Sequence, residues 1–208
     1  MVVDAGHAEL AGEVCIYYLG RAITNRNPNP KPKRRIGMPI NDPKELFVRL
    51  LSGLRQGTER SIKIYQEISK VAENPDVREA LEARAFISEK VLATQDQCFK
   101  LIGEQPVKVD SRLQEVFLED FRRELAEIQN PTARHLFILA KATHLTHLLI
   151  AEYVALVAAA DITGHYGVGV LLESCLADKL AFVERTRRLI RNVIEAKVVE
   201  KMGVRAAA

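Results

Sequence analysis

The chain has 208 residues, 48% hydrophobic and 27% charged, which is enough to bury one real core and short for two domains. It has no Trp, only 6% aromatic residues and abundant Ala, Leu, Glu, Lys and Arg, so an all-α fold is predicted. Thirty basic against 27 acidic residues leave a charge of +3, too mild to imply a polyanion partner. Cys15, Cys98 and Cys175 lack the number and spacing of a disulfide framework or zinc site, which points to a reducing compartment, the cytoplasm by default.

At the N-terminus, Asp4 and Glu9 stand where a secretory signal carries positive charge, and "CIYYLGRAI" is too short and interrupted to span a bilayer. Residues 1 to 24 read as a short helix packed through Tyr17 and Tyr18. The stretch "NRNPNPKPKRR", Asn25 to Arg35, stops it, because its three prolines lack amide donors and push preceding residues toward extended geometry. Residues 1–41 are therefore an extension with a basic linker, residues 42–203 the folded domain, and 204–208 a tail.

The domain opens at "NDPKEL", with Asp42 as N-cap, Pro43 at the first helical position and Glu45 completing an acidic capping box. Leu51, Leu54, Thr58, Ile62, Tyr65 and Ile68 recur at three- and four-residue spacing, predicting one buried stripe on a helix to about Glu73. "ENPDV" repeats the device with Asn74 and Pro75, and Gly103 is a suitable left-handed end for the second helix. Ser111 to Ile128 is a shorter amphipathic segment, with Leu113, Phe117, Phe121, Leu125 and Ile128 on one side, expected to cross the bundle surface. "NPTARHL" starts a third long helix over 131–162, and "TGHYG" turns into a fourth over roughly 168–202. Four long helices with apolar stripes pack most economically as an antiparallel bundle.

The strings "NPDVREALEARAFISEKVLATQDQCFKLIGEQP", "HLLIAEY" and "TGHYGVGVLLESCL" resemble the YciE/YciF-like family of ferritin-like proteins. That family's pattern has a proline-led second helix with a Gly-Glu-x-Pro exit, a His-Tyr-Glu-Ile-Ala-x-Tyr third helix, and Gly-His before a Leu-Leu fourth helix. The agreement runs without a gap through His147 to Tyr153, Gly164, His165 and Leu171-Leu172, and the likeness covers about Lys44 to Arg191. It implies a ferritin-like antiparallel four-helix bundle, with the extra crossing helix between helices 2 and 3, and a role in stress physiology.

The resemblance also implies a di-metal centre of inward carboxylates and histidine, hard donors that balance iron or manganese between apolar helices. Carried over position by position, that set is largely missing. The first-helix glutamate falls on Thr58, with Glu59 about 100° away around the helix. The second-helix positions read Ile87 and Val91, the third Thr146 and Leu149, and the fourth Asp178 and Lys179 with Val183 a turn later. The expected centre is therefore apolar, holds no metal and supports a non-catalytic structural or interaction protein. The alternative is an iron- or manganese-binding oxidoreductase with a reorganised site.

For that alternative the candidate ligands are Glu59, Asp178, His144 and His147. His147 lies about 100° and His144 about 160° from Thr146, both off the axis, and Glu152 is about 140° from His147, so the three do not converge. Packed histidines are the expected reading, and Glu59 and Asp178 are expected to pair with basic neighbours such as Arg60 and Lys179. Ala140, Thr143, His147, Ala151, Val154 and Ala158 share a face of small side chains that lets another helix approach, which predicts a homodimer. The runs "KPKRR" and "RTRRLIRN" have no aromatic interleaving, which argues against nucleic acid. No phosphate loop or nucleophile motif supports a hydrolase or transferase.

Overall fold

The computed structural model describes residues 40–201. The readings placed on the N-terminal helix, the proline-rich linker, Cys15 and the tail at 204–208 lie outside the described residues. The described residues form five helices: α1 Pro43–Lys70, α2 Pro75–Ile102, α3 Leu113–Glu127, α4 Pro131–Ile162 and α5 Tyr166–Lys201.

Three of the five begin with an Asx cap followed by proline, so the orphan amides of the first turn are met locally while proline supplies none. Asp42 accepts from the Lys44 amide at 3.0 Å, Asn74 from Asp76 and Val77 at 2.9 and 3.2 Å, and Asn130 from Ala133 at 3.0 Å. Gly103 ends α2 in the left-handed region at φ 67°, where a side chain would strain the backbone. Gly164, at φ 73°, makes the turn into α5, which starts at Tyr166, slightly before the predicted start.

Two apolar clusters reveal the topology. One joins the start of α1 (Phe47, Leu51) with the ends of α2 (Phe99, Ile102) and α4 (Leu156, Ala160) and the start of α5 (Val168, Leu172). The other joins the end of α1 (Tyr65, Ile68) with the starts of α2 (Val77, Leu81) and α4 (Ile138, Leu139) and with Phe182 of α5. Taking α1 as up, α2 and α4 run down and α5 runs up, so every neighbouring pair is antiparallel. This is the ferritin-like order, and the connection between α2 and α4 must travel the bundle's length.

Helix α3 makes that crossing. Phe117, Phe121 and Leu125 enter the second cluster, and Gln114 settles over Gly57 of α1, where a Cβ would stand 2.9 Å from its amide nitrogen. Phe117 meets the His144 ring edge-on at 5.9 Å and Phe121 stacks on Phe137 at 5.7 Å. The ion pairs Arg122–Glu67 and Lys141–Glu124 flank these contacts.

Candidate functional site

Between the two apolar clusters the bundle changes character. Thr58 and Ser61 of α1, Arg84, Ser88 and Gln95 of α2, Thr146 of α4 and Lys179 of α5 are all buried there. Tyr65 and Tyr153 add hydroxyl groups from either side. Gln95 donates from one nitrogen to the Thr58 hydroxyl at 3.0 Å and the Tyr153 hydroxyl at 2.8 Å, tying α2 to α1 and α4. The Tyr65 and Thr146 hydroxyls meet at 2.7 Å, and Thr146 donates to the Ala142 carbonyl at 2.8 Å, so Tyr65 is the donor of the pair.

Two cations sit in this belt. Arg84 and Lys179 are both 0% exposed, and neither Lys179 Nζ nor any of the three Arg84 nitrogens has a hydrogen-bond partner among the described residues. The Arg84 guanidinium lies 5.6 Å from the Tyr65 ring centre and 5.4 Å from that of Phe182, while Lys179 lies 5.5 Å from that of Tyr153. These are cation–π contacts, which attract charge but accept no conventional hydrogen bond. The nearby Arg84 charge lowers the Tyr65 proton affinity, yet no Arg84 nitrogen reaches good hydrogen-bond geometry, and burial dominates by raising Tyr65. Burial, followed by the Arg84 charge, brings the Lys179 ammonium down to about 7. Burial also pushes Cys98 up to about 12 and raises Cys175.

A family model described as "Domain of unknown function (DUF892)" matches residues 42–199. The chain belongs to the DUF892 family. No curated protein matches the chain. Among solved structures, the Escherichia coli stress protein YciF superposes with a TM-score of 0.71 at 18% identity, covering 75% of this chain and 99% of its own. YcfI from Rhodopseudomonas palustris gives 0.70 at 22% identity, with coverages of 74% and 98%. A protein from Xanthomonas campestris pv. campestris gives 0.57 at 17% identity, with coverages of 75% and 99%. The YciF-like resemblance seen in the sequence is thus supported over the whole bundle, and these likenesses establish the fold.

Within this DUF892 bundle the four sequence candidates are not brought together. Glu59 is exposed and pairs with Arg55 at 3.6 Å, not with Arg60. Asp178 points out, whereas its neighbour Lys179 turns in, so the expected pairing of the two does not form. His144 and His147 are exposed, His144 against Phe117. Among the described residues no group of three or more His, Cys, Asp or Glu side chains is placed to hold a metal ion.

The expectation of an apolar centre is corrected. Thr58, Val91, Thr146 and Leu149 do face inward, but Ile87 is only half-buried, and the innermost α2 positions at this level are Arg84, Ser88 and Gln95. Of the two buried cations, the family positions took in Lys179, beside Asp178, but not Arg84. Spacing alone carried the signal: Leu81, Arg84, Ser88, Val91, Gln95 and Cys98 recur at three and four, as do Leu172, Cys175, Lys179, Phe182 and Thr186.

Proposed function

We propose that this DUF892 protein is a metal-free ferritin-like bundle with a structural or interaction role, within the stress physiology suggested by its likeness to YciF. One observation carries the reading: at mid-bundle the four long helices turn hydroxyls, an amide and two cations inward, and among the described residues no carboxylate joins them. A di-iron or di-manganese centre needs several anionic oxygens, and Arg84 and Lys179 repel any cation brought between them. Elemental analysis of protein purified without chelators should find far less than one iron or manganese per chain. Close to two per chain overturns the reading and favours an oxidoreductase with a reorganised site.

The interaction surface in this reading is the outer face of α4. Helix α3 covers the side bearing Phe137 and His144, but Ala140, His147, Ala151, Val154 and Ala158 remain exposed. By length and composition α4 also passes as a membrane span, yet its other side buries Ile138, Ala142, Leu145, Leu149 and Tyr153 in the bundle. A core helix with one open apolar face suits a second copy of the chain, and we assign a homodimer. Cys98 and Cys175, both free and buried, suit a reducing cytoplasm.

A further inference from the structure

We propose that the belt is an anion site, in which Arg84 of α2 and Lys179 of α5 together hold one small monovalent anion of halide or formate size. Arg84 cannot shed its charge, and its three nitrogens are buried without a hydrogen-bond partner among the described residues. Lys179 Nζ is in the same condition in the same layer, and its depressed proton affinity registers the Arg84 charge beside it. Two like charges in a low-dielectric interior repel, and each unpaired donor is costly there.

No ion pair among the described residues offsets them; Cys175 and Asp178 favour the Lys179 charge from its own helix, but less than burial and Arg84 oppose it. Glu59 and Asp178 face outward, and Glu152, half-buried on α4, makes no ion pair and has an oxygen without a partner among the described residues. The aromatic rings of Tyr65, Phe182 and Tyr153 stabilise the charges but leave the N–H donors unused. Donors in excess and carboxylates absent define the complementary ligand as an anion. Its size follows from enclosure: Arg84 and Lys179 are fully buried, and neither lines the hollow beside Asn74 and His135 or the one beside Glu59 and Lys108. A halide or formate suits such a place, reached by local opening, and an organic substrate does not.

The inference rests on the belt not being a metal centre. The test uses the full chain, prepared in sodium gluconate and titrated with chloride, bromide, formate or sulfate at constant ionic strength, with thermal unfolding followed by circular dichroism. A ligand of the native state raises the midpoint with the logarithm of its concentration above Kd. Chloride or bromide should raise it concentration-dependently, and Arg84→Met and Lys179→Met, which keep the stem but not the charge, should abolish the rise. A rise with formate alone also supports the site, with a small carboxylate as its ligand. No rise with any monovalent anion, or an equal rise in both variants, overturns the proposal. Chloride-35 line broadening by the wild-type protein, absent with Arg84→Met, is the check that needs no unfolding; equal broadening by both counts against it. Metal analysis of the same samples separates the readings: bound iron or manganese sinks the metal-free function, whereas anion indifference in metal-free protein sinks only this inference.

Discussion

Lys179 is the residue whose chemistry the fold alters most. Unfolded, its amine has its ordinary value of 10.5; folded, it titrates at about 7, lowered first by burial and then by Arg84. Arg84 faces it from α2, Tyr153 from α4, and Cys175 and Asp178 act on it from its own helix. Between the two values the unfolded chain holds one proton more than the folded chain, so stability rises with pH and levels off below about 7. Cys98 and Tyr65, both raised by burial, act in the opposite direction, but only above their ordinary values of 9.0 and 10.0. The window from about pH 7 to 9 therefore belongs to Lys179, and one proton per pH unit amounts to about 2 kcal/mol across it. Urea unfolding in gluconate at three pH values should show that gain in the wild type. Lys179→Met should show a flatter profile and higher stability at pH 7, because a buried unpaired ammonium is replaced by a chain of similar volume. Histidines and the amino terminus cancel in the difference, so parallel profiles would rule out the depressed amine.

At the scale of helices, the sequence was most legible where chemistry is local. Asp42-Pro43, Asn74-Pro75 and Asn130-Pro131 announce three helix starts, and Gly103 one helix end, because capping depends on side chains a few residues away. Asn74 serves two amides, so Asn74→Ala should cost about 1 kcal/mol, read as a lowered urea midpoint with an unchanged slope. An unaltered midpoint would mean that water replaces the cap without loss. Helix rotation was legible less evenly. On α1 the stripe through Thr58 is strongly amphipathic, and the structure agrees with it. On α2 and α5 polar side chains are spread around the helix; the family position on α2 fell on Ile87, one turn from the buried Arg84, and on α5 it took in Asp178 and Lys179, of which only Lys179 is buried. Burial of a cation follows from packing among four helices, which no single helix displays.

At the scale of the whole molecule, the outer face of α4 is where the proposed second copy would dock. Its outer face carries Val154 at 55% exposure and Ile162 at 80%, along a row otherwise made of Ala140, His147, Ala151 and Ala158. Small side chains allow close helix approach, and a two-fold contact would set this row against its own copy, so each substitution counts twice. Val154 touches solvent in the single chain, so Val154→Glu should leave its folding nearly intact while placing two carboxylates in the shared interface. Equilibrium sedimentation should give twice the chain mass of 23.3 kDa for the wild type and the single mass for the variant, with matching circular dichroism. A wild-type monomer at tens of micromolar removes the homodimer. A dimer that tolerates Val154→Glu moves it to another surface, because two facing carboxylates in an apolar seam would not remain together.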